Sequence, residues 1–488
     1  MIYIWLKQMF FIPLQPNITN INMAKALIIG REREQDELRR LTESSSSEFV
    51  AVYGRRRVGK TYLVKEFYNQ QFDFYATGIC RGNRRDQIKS FNDSLVEYGS
   101  TDKSAPKDWF EAFNRLKSIV ANSSNSKKVI FLDELPWMDT PKSNFIQALD
   151  LFWNKWCSSR NDIVLIVCGS AASWMVKNLI RNKGGLHNRL TCKIHLQPFT
   201  LAEADAFLRY KGIRWSKQAV AECYMIMGGI PFYLQHLHKS MSLAQNIDRM
   251  FFNPSALLED EFHNLYNSLF TNSEDYIKIV RALNSKKKGM TRSDLVAATK
   301  IADGGGLTRK LDELEQCGFI RKYTSIGVSR FIYQLVDFYT LFFYQFINGG
   351  KEYDEDTWMH LQGQPRHTAW LGLSFEKLCF AHSYEIKHAL GISGIGTKTY
   401  ALNADGAQID MVIERADKFL NLCEMKFSAV PYSISKSEWD KIQRRIAVVA
   451  EKKPNRSVLL TMVTSQGLKQ NEYSQNGVQK VLTIEDLF

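Results

Sequence analysis

Unbroken apolar runs mark the first third of the chain. Glu48–Tyr53 (EFVAVY), residues 129–132 (VIFL) and residues 163–168 (IVLIVC) lack polar alternation, as strands buried on both faces do. A helical pattern through Tyr62, Leu63, Val64 and Phe67 follows the first run. Residues 192–196 predict a further strand. From 199 to 276 the period becomes helical: Leu201, Ala204, Phe207 and Leu208, then 219–227, then 232–237. Tyr276, Ile279, Val280 and Leu283 give one helical face, Thr291 is an N-cap for a second helix, and Leu307, Leu311 and Leu314 mark a third. Residues 319–323 and 331–335 flank a glycine-containing turn, predicting a β-ribbon. Beyond a polar, glycine-containing stretch, 371–384 is an amphipathic helix. Residues 407–413 and 419–427 then predict paired strands around a turn at 416–418, and 436–449 a closing helix. These patterns divide the chain into 23–198 (α/β core with a parallel sheet), 199–275 (helical lid), 276–347 (helices and ribbon), 348–369 (linker) and 370–488 (a second α/β domain).

Composition narrows the class. The 488 residues are 45% hydrophobic and 24% charged, which excludes a mainly disordered or fibrous chain. The formal charge of +13 points to a polyanionic partner. Eight cysteines are scattered singly with no C-x-x-C, the usage of reduced thiols in a cytoplasmic protein rather than of a zinc ribbon. No run is long enough to span a membrane, so no membrane partner is expected. Residues 1–22 (MIYIWLKQMFFIPL…) are apolar without a cleavage signal, and Met23 opens an ordinary start; the segment reads as an over-extended start codon.

The first α/β unit carries phosphate chemistry. The strand ending at Tyr53 runs into Gly54-Arg55-Arg56-Arg57-Val58-Gly59-Lys60-Thr61 and then a helix. This is G-x-x-x-x-G-K-[ST] in its strand–loop–helix setting. Gly54 and Gly59 let the backbone wrap phosphates, Lys60 reaches them, and the Thr61 hydroxyl ligates Mg²⁺. The 129–132 run ends in Asp133 and Glu134: the first suits the Mg²⁺ shell, the second polarises the attacking water. Ser170, ending the next strand, is placed to sense the γ-phosphate, and Arg189 to reach a phosphate in cis or across a subunit interface. ATP and Mg²⁺ are the cofactors expected.

In this order the features resemble the ASCE/AAA+ class of ATPases. More narrowly, GREREQDELRRL, FLDELPWMD, CGSAASWM and GGIPFYL look like the archaeal-type ATPase family, related to the STAND signalling ATPases. The resemblance covers residues 28–345. It implies that Gly30, Arg31 and Glu32 lie near the adenine, that Ser170 is a sensor, that Arg189 is a candidate arginine finger, and that Gly229-Ile230-Pro231 is the G-x-P element of the lid. An Arg189 acting in trans requires a homo-oligomer.

The 276–347 unit reads as a winged helix-turn-helix. Between Ser285 and Arg330 ten Lys/Arg face five Asp/Glu, a local charge of +5, with Arg309 and Lys310 early in the third helix, where a recognition helix meets duplex DNA. A protein partner is the alternative use of such a unit. In the last domain, alternation puts Glu424 and Lys426 on one strand face, Asp410 joins from the adjacent strand, and Glu376 sits on the preceding helix. Two carboxylates that hold Mg²⁺ and a lysine beside a scissile phosphate are nuclease chemistry. The segment 368–488 resembles the PD-(D/E)XK nuclease superfamily, and more specifically the domain of unknown function DUF234 that follows archaeal-type ATPase modules. The matching positions are Glu376, Asp410, Glu424 and Lys426, with Ile409 where the superfamily name has proline. The resemblance implies a restriction-endonuclease-like α/β fold acting on DNA with Mg²⁺, under ATP control. A nucleotide-switched regulator or signalling scaffold with a silent nuclease fold is the alternative.

Overall fold

The computed structural model describes residues 28–488 apart from 182–183, 187, 254–255, 325–329, 350–355 and 405–406. The expected over-extended start, the tip of the ribbon turn and the middle of the expected linker lie outside the described residues.

Five parallel strands form the first sheet: β1 Glu48–Tyr53, β2 Phe74–Thr77, β3 Lys128–Asp133, β4 Ile163–Gly169 and β5 Cys192–His195, in spatial order β2-β3-β4-β1-β5. Every residue of β3 and β4 is buried, which is why their sequences show no alternation. Their alternate residues feed two separate cores. Ile130, Leu132, Leu165 and Val167 pack with Phe91, Trp109 and Phe152. Val129, Phe131, Val164 and Ile166 pack on the other face with Leu38, Val64 and the lid. The strand between the P-loop strand and the acidic strand is β4, so Ser170 ends beside both.

The lid is built from helices including Leu201–Tyr210, Lys217–Met227 and Glu261–Leu269. The first starts from a capping box, in which the Thr200 side chain and Glu203 satisfy each other's backbone N–H. The next unit holds the helices Ser273–Ser285, Arg292–Thr299 and Gly305–Gln316, with an antiparallel sheet of β6 Met290–Thr291, β7 Ile320–Thr324 and β8 Phe331–Leu335 in the order β6-β8-β7, followed by the short helices Phe338–Phe342 and Phe343–Ile347. Thr291 is the expected N-cap, reciprocated by Asp294.

The expected linker is in part structured. A helix at Thr357–Leu361 buries Trp358 to 1% exposure against Phe342, Phe346 and Trp370, and Asp248 of the lid accepts the Trp358 N–H at 2.5 Å. One large aromatic outweighs the polar composition around it.

The last domain is a mixed sheet of β9 Thr397–Ala404, β10 Ala407–Arg415, β11 Phe419–Lys426, β12 Ser457–Thr464 and β13 Lys480–Thr483, in the order β13-β12-β11-β10-β9. The three strands β9, β10 and β11 are antiparallel neighbours, while β11, β12 and β13 run parallel. The helix Pro365–Ala381 covers one face and Lys436–Lys452 the other. The register of β10 against β9 shifts between Ile409 and Val412, a bulge that spans Asp410 and Met411. No described helix is long and apolar enough to cross a membrane. All eight cysteines are free thiols, six of them buried.

Candidate functional site

The P-loop curls between β1 and the helix Lys60–Phe67. Gly59 stands at φ 91°, a left-handed conformation that a side chain resists. Gly54 is at φ 146°, and a Cβ there would lie 2.3 Å from the Leu196 carbonyl oxygen. Lys60 is buried, and its ammonium donates to the carbonyl oxygens of Gly54 (3.1 Å) and Arg55 (2.9 Å) inside the curl. The Thr61 hydroxyl donates to Asp133 Oδ2 at 2.8 Å. Burial raises the Asp133 carboxyl above the usual range, and the Thr61 bond offsets only part of that. Glu134 follows at φ 46°, and the Ser170 hydroxyl donates to its Oε1 at 2.5 Å. The expected sensor and the expected water-polarising carboxylate are therefore bonded to each other.

Arg31, Gly59, Lys60, Thr61, Glu134, Ser170 and Pro231 line one cavity of about 610 Å³. Arg31 enters it from φ 63° at the start of the helix Glu32–Glu43. Its backbone N–H donates to Glu203 (2.9 Å), its guanidinium donates to the Gln197 carbonyl (2.7 Å) and lies 4.5 Å from the Phe199 ring centre. Pro231 opens the short helix Pro231–Leu234 at the opposite rim. Tyr62, Phe207, Tyr210 and Phe232 add an aromatic wall that no motif announced, because each lies in an ordinary helical pattern. Arg189 is exposed and lies outside this lining.

Two loop arginines have a role the motif does not express. Arg55 pairs with Asp337, at the end of the ribbon, and its guanidinium lies 4.8 Å from the Phe319 ring centre. Arg57, at φ 73°, pairs with Glu261 of the lid and lies 4.0 Å from the Phe232 ring centre. The variable positions of G-x-x-x-x-G-K-T thus fasten the loop to both downstream units.

The four C-terminal residues come close but divide into two pairs. Glu376 and Asp410 line a crevice of about 40 Å³ together with Lys288, Arg321, Tyr323 and Gln334 of the helix–ribbon unit. Glu424 and Lys426 are held from the Lys436–Lys452 helix: Arg445 donates to both Glu424 oxygens (2.6 and 2.5 Å), and Lys426 pairs with Glu438 at 3.0 Å. The division follows from the bulge. Strict alternation would set Asp410 beside Glu424, but Ile409 and Val412 share one core while Met411 joins the other, so the alternation breaks at Asp410. Their fields still overlap. Burial, then Glu376, pushes the Asp410 carboxyl up to about 7. Burial, with Asp410 adding and Arg445 opposing, pushes Glu424 up to about 7. Glu376 is raised chiefly by burial. Among the described residues no group of three or more His, Cys, Asp or Glu is arranged to hold a metal ion. Asp410 and Glu424, the pair expected to bind Mg²⁺ here, face different neighbours, Asp410 the small crevice and Glu424 the Arg445 guanidinium; the Thr61–Asp133 pair offers a hydroxyl and a carboxylate side by side, a donor set that suits Mg²⁺.

Residues 28–237 match the family model described as an ATPase domain predominantly from Archaea. An uncharacterized protein of Methanocaldococcus jannaschii is 25% identical over 358 residues, covering 72% of this chain and 76% of that protein. A Walker-type ATPase of Pyrococcus abyssi is 18% identical and covers 64% of this chain and 95% of its own, with a TM-score of 0.45. The ORC2 protein of Aeropyrum pernix in ADPNP–ADP complexes is 13% identical, covering 75% and 98%, with a TM-score of 0.43. The matched span holds the whole nucleotide cavity apart from its links to the downstream units, and the chain is a P-loop ATPase.

Proposed function

We propose that ATP turnover controls a DNA-processing C-terminal half. In this reading residues 276–347 are a winged helix that contacts duplex DNA through its basic surface, and residues 370–488 are a Mg²⁺-dependent nuclease. At the nucleotide, Lys60 exchanges its loop carbonyls for phosphate oxygens, Glu134 orients the attacking water, and Ser170, bonded to Glu134, reports whether the γ-phosphate is present. Thr61 and Asp133 would hold Mg²⁺, which neutralises phosphate charge there.

The observation that carries the nuclease reading is that Glu376 and Asp410, half-buried, and Glu424, buried, lie within one another's fields. Each is pushed toward neutrality, which weakens the fold and has no packing purpose. The alternative, a silent nuclease fold serving a nucleotide-switched regulator or signalling scaffold, draws support from Arg445 and Glu438, which occupy Glu424 and Lys426. Lys288, Arg321, Tyr323 and Gln334 of the helix–ribbon unit share the 40 Å³ crevice with Asp410, so in either reading DNA at Asp410 would also meet that unit.

Cleavage of plasmid DNA with Mg²⁺, with and without ATP, separates them. An active nuclease cuts, loses cutting in Asp410→Ala and changes its ATP response in Lys60→Ala. A wild type that hydrolyses ATP, binds DNA with a steep salt dependence and cuts nothing establishes the regulator. One that hydrolyses ATP and does not bind DNA leaves the scaffold.

A further inference from the structure

A second cavity, of about 480 Å³, lies where the P-loop unit, the lid, the helix–ribbon unit and the last domain meet. Its size is that of a small-molecule site, far larger than the crevice at Asp410. Phe199 forms part of both this lining and that of the nucleotide cavity. Successive loop arginines point to different cavities: Arg56 and Arg57 line the nucleotide cavity, Arg55 the second one.

Two guanidinium groups, Arg55 and Arg321, line it together with the Lys377 amine, which burial lowers to about 7, and Asp337 is the carboxylate in the same lining. That carboxylate is already committed, to Arg55 Nη1 and to the N–H and hydroxyl of Thr340. Arg55 is 6% exposed, and its second terminal nitrogen, Nη2, is buried with no hydrogen-bond acceptor. Lys377 is also 6% exposed and bonds only the Leu335 carbonyl, at 3.1 Å. Arg321 lies 3.5 Å from the Phe380 ring centre and uses its Nε on Gln334. Among the described residues neither Arg321 nor Lys377 forms an ion pair. Glu376, in the adjoining crevice, is a carboxylate whose field reaches both Arg321 and Lys377, while the buried Arg55 Nη2 is a donor left without an acceptor, which is costly. The remaining lining is largely aromatic and apolar: Phe199, Tyr224, Phe338 and Phe380.

We propose that this cavity binds a small phosphate monoester, with its phosphate on Arg55, Arg321 and Lys377 and an apolar or aromatic body against the phenylalanines. Phosphate is the anion that suits two guanidinium forks and an ammonium together. Because Arg55 belongs to the P-loop, occupancy and nucleotide binding are linked, each altering the affinity for the other. The site stands independently of the nuclease reading.

The test uses the full chain with its P-loop saturated by Mg·ADP, titrated with inorganic phosphate and with phenyl phosphate while Tm is followed. Phenyl phosphate is expected to raise Tm saturably and at lower concentration than inorganic phosphate. Arg321→Gln and Lys377→Met are each expected to raise the half-saturating concentration by about tenfold or more, the loss of one charge-assisted bond. Lys377→Arg is expected to retain the response, which separates lost charge from a damaged fold. No response of the wild type to either anion overturns the proposal, as does an equal response in Arg321→Gln and Lys377→Met.

Discussion

The nucleotide pocket and the C-terminal carboxylates differ in how much chain is needed to assemble them. Gly54 and Gly59 lie in one loop, Lys60 and Thr61 open the helix that follows it, and Asp133, Glu134 and Ser170 end two neighbouring strands. Little beyond a parallel sheet is required to bring them together. Glu376, Asp410, Glu424 and Lys426 come from a helix and two antiparallel strands, and their partners Arg445 and Glu438 from a further helix. Their arrangement depends on strand register, and one bulge redirects it. A local site survives small errors of register; a distributed one is remade by them.

That contrast predicts a ranking of effects. Lys60→Ala and Glu134→Gln act on the local site, and each is expected to lower ATP turnover by about 100-fold or more while leaving Tm nearly unchanged, as steady-state assays and melting curves would register. Arg445→Ala acts on the distributed one. It leaves Glu424, 1% exposed, without its cation, and is expected to cost roughly 2–3 kcal/mol in denaturant unfolding, below the full penalty for a buried pair because Arg445 is 24% exposed. Adding Glu424→Gln should recover part of that loss; if the double variant is no more stable than Arg445→Ala, the pair is not what holds this face together.

A subtler difference appears with pH. A carboxyl raised to about 7 in the folded chain binds a proton there that the unfolded chain has already released. The stability associated with Asp410 is therefore fully present below about pH 4 and is lost as pH rises toward about 7. Asp410→Asn should flatten that part of the stability–pH curve, and an unchanged slope would show that Asp410 is already solvated. Smallest of all, Glu438→Gln is expected to change stability by about 0.5 kcal/mol or less, since its bond to Lys426 is partly exposed on both sides.

The same contrast explains what was legible in the sequence. The P-loop, the acidic strand and the helix spacing are each read within a few residues, and the P-loop strand, its helix and the lid share one core. Arg55–Asp337 spans 282 positions, and nothing near either residue announces the other. Asp410 is expected to join Glu424 from the adjacent strand, which holds for an unbroken ladder; the register shift at Ile409–Val412 is a property of the β9–β10 pair rather than of β10 alone. Trp358 shows the reverse error, where polar neighbours outvoted one residue that packing made decisive.

The core on the lid side of the first sheet does not stop at a unit boundary. It runs without interruption from Leu38 through Val50, the lid, Leu311 and Phe375 to Leu487, the penultimate residue, while the two outer faces keep smaller cores of their own. Heat or denaturant therefore finds no seam along which the carboxyl-terminal half can melt while the amino-terminal half stays dry. Losing either half exposes the shared apolar surface of the other, so the two halves are expected to melt together, which probes in each half reporting one coincident transition would show.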